Sequence, residues 1–158
     1  MVKNVKIHVV SKQTLVLPVQ DGDDEELKEK LSGEPIVTEV ESEGTLEYKD
    51  GAFTVYYPES EVTGLDGCVT SLSFTDRDPG SISLYRTGPV RTVLMFAEGQ
   101  RYISVYDTGF GSFEVGIVTL SCENGIDENG GELSVAYTVE IKGSEAERTE
   151  LKINVRCI

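Results

Sequence analysis

Apolar side chains recur at every second position along almost the whole chain. A period of two is what an extended strand with one buried face produces. Val5, Ile7 and Val9 alternate with Asn4, Lys6 and His8, and Ile36, Thr38, Val40, Leu46 and Tyr48 with Glu39, Glu41, Glu43, Glu47 and Lys49. Gly44 stands where a barrel strand would bend. Asp50-Gly51 then leads into Phe53, Val55 and Tyr57, the strongest short-range hairpin signal in the chain. After the loop 63–67 come Cys68, Thr70, Leu72 and Phe74, ended by Asp78-Pro79-Gly80. Further alternating runs cover 81–87, 90–97, 100–107, 112–121, 131–142 and 147–157, most of them divided by Gly-bearing turns.

That is about nine or ten strands at short spacing with no βαβ rhythm, which reads as an antiparallel meander. A long meander leaves two unpaired edges, and closing the sheet removes them. The expectation is therefore an all-β fold: a single antiparallel up-and-down β-barrel of about 8–10 strands, with a two-sheet sandwich as the alternative. The 158 residues suit one domain spanning 1–158.

One segment breaks the pattern. Asp23 to Gly33 begins with a capping residue, has Glu26 three positions on, pairs Glu26 with Lys30, and ends on glycine. This predicts one short helix or ordered loop near 23–32, which at this length needs a surface to dock on. The runs 90–97, 100–107 and 112–121 offer one, because both of their faces are apolar. Leu94 and Phe96 fall on one side, and Val93, Met95, Ile103, Val105, Val118 and Leu120 on the other. An outward apolar patch of that extent points to a cover, either the 23–32 helix or a homodimer formed through Val93, Met95, Ile103 and Val105.

Charge limits the partners. Fourteen Lys and Arg against 28 Asp and Glu give a net charge of −14, which repels nucleic-acid phosphates and anionic lipid headgroups. No stretch approaches the roughly 18 apolar residues of a membrane helix, and the first six residues alternate where a signal peptide would be basic and then apolar. Cys68, Cys122 and Cys157 are odd in number and widely spaced, unlike a disulfide framework or a zinc site. A cytoplasmic protein without nucleic-acid or membrane partners is expected, with its thiols acting as small apolar side chains.

Tyr56-Tyr57-Pro58-Glu59, Thr63-Gly64-Leu65, Thr70, Arg86-Thr87-Gly88, Phe96, Tyr106-Asp107-Thr108, Gly111, Thr119 and Gly130-Gly131-x-Leu133-x-Val135-x-Tyr137 occur in this order and spacing. As an ordered set they resemble the YwiB-like family of small bacterial proteins, a family of unknown function. The resemblance implies a lipocalin-like (calycin) barrel, in agreement with the periodicity, and it implies no activity. The charged insert around 20–34 departs from the family pattern.

Enzyme templates find little support. His8 is the sole histidine, lies on the polar side of its strand and has no nucleophile motif beside it. Gly109-Phe110-Gly111 lacks the third glycine and following helix of a dinucleotide loop. Asp21-Gly22-Asp23-Asp24 has Glu26 and Ser32 where a calcium loop needs glycine and glutamate. No metal, no cofactor and no catalytic residue is expected. The set that stands out is Tyr57, Glu59, Arg86, Tyr106, Thr108, Thr119 and Tyr137. Arg86 falls in phase with Ile82 and Leu84, and Glu59 continues the phase of Val55 and Tyr57. An inward guanidinium requires acceptors, since an unpaired buried charge costs several kcal/mol (roughly), and Glu59 is the partner that phase supplies.

Two readings stay open for this set. One is a structural ion pair that fixes register or closes a barrel end. The other is a polar cluster that orients a ligand through an anionic or carbonyl group. The functional expectation is a non-enzymatic barrel binding a small apolar or amphipathic ligand, with Tyr48, Phe53, Tyr57, Phe74, Leu84, Phe96, Tyr106, Phe113 and Tyr137 lining or filling it. The alternative is an interaction module acting through the outer apolar patch.

Overall fold

The computed structural model describes residues 1–17, 30–59, 66–107, 110–141 and 144–158. Ten strands run in chain order: β1 (Val2–Leu17), β2 (Lys30–Lys49), β3 (Ala52–Pro58), β4 (Val69–Thr75), β5 (Ile82–Thr87), β6 (Arg91–Phe96), β7 (Arg101–Asp107), β8 (Ser112–Asn124), β9 (Gly130–Ile141) and β10 (Ser144–Cys157). Each pairs antiparallel with its chain neighbours. β1 also pairs with β10, Val5 standing opposite Cys157 and Ile7 opposite Val155, so the sheet closes. The barrel expected from the alternation is the fold observed, and the sandwich is not.

The helix expected over 23–32 is not what its described part forms. Residues 23–29 lie outside the described residues, and Lys30, Leu31 and Ser32 open β2, opposite Leu17, Val16 and Leu15. A helix this short is marginal by itself, whereas the ladder to β1 satisfies the backbone of 30–32 directly.

Inward positions follow the expected phase. Phe53, Val55 and Tyr57 of β3, Leu72 and Phe74 of β4, Ile82 and Leu84 of β5 and Leu94 and Phe96 of β6 are buried. With Ile117, Leu133, Ile153 and their neighbours they form one connected apolar cluster. Asp50 and Gly51 turn β2 into β3 with φ of 54° and 84°, the left-handed pair that a two-residue hairpin needs. Gly44 is required for a different reason. A Cβ there would lie 1.9 Å from the Tyr56 carbonyl oxygen and 2.9 Å from Ile7 Cδ1.

Three departures come from strand length and irregularity. Ile36, expected on a half-buried face, is exposed, because β3 pairs with β2 over Thr45–Lys49 and leaves the earlier part of the β1–β2 hairpin extended past it. The β8–β9 register slips between Thr119 and Ser121, so Leu120 bulges outward and Cys122 turns back toward the core. A second slip lies in β10 between Glu145 and Glu147.

The two ends of the barrel differ. The chain termini and the β2–β3, β4–β5, β6–β7 and β8–β9 turns share one end. That end is plugged by Ile126, a buried member of the apolar cluster. The connections β1–β2, β3–β4, β5–β6, β7–β8 and β9–β10 share the other, where the inward positions become polar.

Candidate functional site

At this second end the last inward positions of β3 and β5 and the first of β4 and β6 converge. β3 delivers Tyr57 and, one inward step further, Glu59, whose backbone N–H bonds the Cys68 carbonyl at 2.9 Å and holds the loop stem closed. β4 places Thr70 opposite Tyr57 on one side and opposite Arg86 of β5 on the other. The Thr70 hydroxyl donates to Glu59 Oε1 at 2.6 Å, and Arg86 Nε stands 3.7 Å from the same oxygen. Both charged side chains are withdrawn from water, Glu59 to 5% exposure and Arg86 to 18%. Arg86 Nε is buried and has no hydrogen-bond partner among the described residues.

Three inward phenols feel the charge of this pair. Burial pushes the Tyr57 hydroxyl well above its ordinary value near 10, the Glu59 carboxylate adds to the shift and the Arg86 guanidinium opposes it. Tyr106 is raised by burial, with Arg86 again opposing and Glu147 adding. Tyr137 is pushed up to about 12, by burial first and then by Tyr106, with Arg86 and Thr149 opposing. The Thr149 hydroxyl in turn donates to Glu147 at 2.8 Å. The Arg86 guanidinium opposes the rise at all three phenols. All three remain protonated at neutral pH, so each presents an O–H. Phe113, half exposed at the rim, stacks on Tyr106 with ring centroids 5.5 Å apart, and Phe96 packs behind Tyr137 at 4.8 Å.

Of the seven residues singled out in the sequence, the structure brings together Tyr57, Glu59, Arg86, Tyr106 and Tyr137. Thr108 lies outside the described residues. Thr119 does not join them. It is buried opposite Tyr137, but its hydroxyl accepts from Ala97 N–H at 3.3 Å toward the β6–β7 turn, near the plugged end. The β8 phase was read correctly there, and what placed Thr119 apart was its height along the strand. Sequence reasoning passed over Thr92, Ser104, Glu147 and Thr149 as members of this end. Their signal was a hydroxyl or carboxylate at an inward phase next to a loop. The three hydroxyl residues are buried.

Other chemistry read from the sequence lies elsewhere. His8 is on the outer face, its Nε2 2.6 Å from Glu39 Oε1. The acidic loop 21–24 is outside the described residues. Among the described residues no group of three His, Cys, Asp or Glu side chains could hold a metal ion, and no helix is long and apolar enough to cross a membrane. The three cysteines are free.

Comparison with known proteins agrees with this architecture. A family model described as a domain of unknown function, DUF1934, matches residues 25–153. The crystal structure of the ywiB protein from Bacillus subtilis superposes with a TM-score of 0.76 at 21% identity, over 99% of this chain and 93% of that one. The two findings bear out the YwiB-like resemblance of the ordered motifs, and the structural likeness shows a shared fold. No curated protein matches the chain.

Proposed function

The chain belongs to the DUF1934 family, and we propose that it is a binding protein, not an enzyme, that takes a small amphipathic molecule at the polar end of its barrel. On this reading the fold is a lipocalin-like, calycin-type barrel working in the cytoplasm, where three unpaired thiols stay reduced. Arg86 is the anchor. Its buried Nε–H, without a partner among the described residues, is the single observation that carries the reading, because a buried donor left unmade costs about 1–3 kcal/mol and a carbonyl or anionic oxygen would recover it.

The surrounding groups fit such a role. Tyr57, Tyr106 and Tyr137 are donors held protonated by burial, and Glu59 carries the counter-charge. The Tyr106–Phe113 stack offers an apolar surface at the rim for the rest of the ligand. The remainder of the interior is side chain, so the ligand seats at the mouth, above the apolar cluster. The sole histidine sits on the outer face, away from this arrangement.

Native mass spectrometry of the protein purified without denaturation tests the proposal. The expected result is a small copurified mass on the wild type that is lost from Arg86→Met, with both proteins folded by near-UV circular dichroism. A wild type bare of added mass, or an Arg86→Met protein that keeps the same mass, would overturn it.

A further inference from the structure

The outward row of β7 reads Arg101, Ile103, Val105, Asp107: a cation, two apolar side chains and an anion, spaced two residues apart on one face. Turned end for end, the row is complementary to itself. Arg101 then meets Asp107, Ile103 meets Val105, and each match occurs twice. That is the property an isologous two-fold contact requires, in which the same patch serves both copies.

The neighbouring strands extend the apolar centre. Met95 on β6, Tyr85 on β5 and Leu120 on β8 are exposed, as are Ile103 and Val105. Val93, opposite Tyr85, and Val118 fill between them. Beside Ile103, Gly116 leaves a groove of about 450 Å³ walled by Ile103, Phe113 and Ile141. Its glycine is where the Arg101–Glu140 ion pair, 2.6 Å long, crosses over β8. The face therefore offers apolar projections and an apolar recess together.

Charge singles out a second copy as the occupant. The molecule carries −14, so most pairings of two copies repel. On the outward positions of β5, β6, β7 and β8 up to the bulge the charges are Arg91, Arg101, Asp107 and Glu114, two of each sign. Arg91 and Asp107 stand directly opposite across β6 and β7. With Glu140, which reaches over Gly116 to Arg101, the face carries one net negative charge, little to oppose self-association, and its charged ends are of opposite sign along β7.

We infer that the outer face of β5–β8 is a homodimer interface in which β7 of one copy lies antiparallel over β7 of the other, with Met95, Ile103 and Val105 at its centre. The inference is independent of the ligand reading.

Sedimentation velocity from micromolar to millimolar protein tests it. The wild type is expected to dimerise, and Val105→Lys, which lowers the net negative charge and so removes a general-repulsion explanation, is expected to be monomeric. Arg101→Asp sets like charges together and is expected to weaken the dimer by about tenfold or more. Adding Asp107→Arg to Arg101→Asp is expected to restore it, although the Arg101–Glu140 pair stays broken. A wild type monomeric at millimolar concentration, a dimer indifferent to Val105→Lys, or a double reversal no tighter than the single one would each overturn the inference. Where Val105→Lys does not fold, amide exchange of wild-type β6 and β7 at low and high concentration replaces it. Protection that does not rise with concentration counts against the interface.

Discussion

Arg86 and Glu59 face each other inside the barrel at 3.7 Å, yet the shorter bond of the carboxylate, 2.6 Å, is to Thr70. The guanidinium thus has a counter-charge that does not hydrogen-bond its Nε, which has no partner among the described residues. The coupling of the two charges is open to a stability test.

Removing one partner of a mostly buried pair strands the other. Glu59→Gln is expected to lower unfolding stability by about 3 kcal/mol, and Arg86→Met by a similar amount. The double variant is expected to be more stable than the sum of the two, because neither charge then remains buried alone. Urea denaturation of the four proteins measures the coupling, and additive losses would contradict the pair.

Tyr137 makes the barrel alkali-sensitive. Its folded pKa, about 12, exceeds the ordinary value near 10, so its contribution is fully present below pH 10. That contribution is lost as pH rises toward 12, since the unfolded chain releases the proton first. Stability is expected to fall across that window, and less steeply in Tyr137→Phe. Thermal melts across the window, followed beside tyrosinate absorbance, read the effect.

The closure of the barrel is uneven. β1 and β10 are paired from Val5 to Leu15, whereas β6 and β7 are paired at Arg91–Asp107 and Thr92–Tyr106. Beyond those rungs the Ser104 hydroxyl takes the Val93 carbonyl in place of a backbone donor. Amides of Val93–Met95 and Ile103–Val105 are expected to exchange faster in the dilute protein than those of β1 and β10. Ser104→Ala should widen the difference and cost about 1 kcal/mol. Native-state exchange resolves the strands, and equal protection along both seams would refute the prediction.

Gly44→Ala brings a methyl group against the Tyr56 carbonyl, which is backbone and cannot rotate aside. A loss of about 3 kcal/mol or more is expected. Gly111→Ala, with open space around the new Cβ, should stay within about 0.5 kcal/mol. Chemical denaturation of the two variants decides the comparison.

The site was legible in the sequence to the extent that phase determines it. Arg86 follows Ile82 and Leu84 at steps of two, and Glu59 follows Val55 and Tyr57, so both had to point inward and needed each other. Phase says nothing about height along the barrel axis. Tyr57, Tyr106 and Thr119 are all inward, but only register across several strands separates the polar mouth from the level of Thr119. The same limit hid Thr92, Ser104 and Thr149, since hydroxyl residues are at home in any strand. At Lys30–Ser32, the described part of the 23–32 segment, the sequence misled for the reverse reason. Local capping and charge signals are worth about 1 kcal/mol each, while pairing with β1 offers a backbone bond at nearly every step.

Alternation alone determined that this chain makes strands and, for most of them, which face is buried, and it favoured a closed sheet over a sandwich. It did so because side-chain direction in a strand is a local property with a period of two. The tertiary structure decided which inward residues share a level, where Leu120 bulges, and that one end is plugged by Ile126 while the other gathers Arg86, Glu59 and three tyrosines. Those outcomes depend on how far each strand is shifted against the next, and that shift is set by contacts between residues distant in the chain.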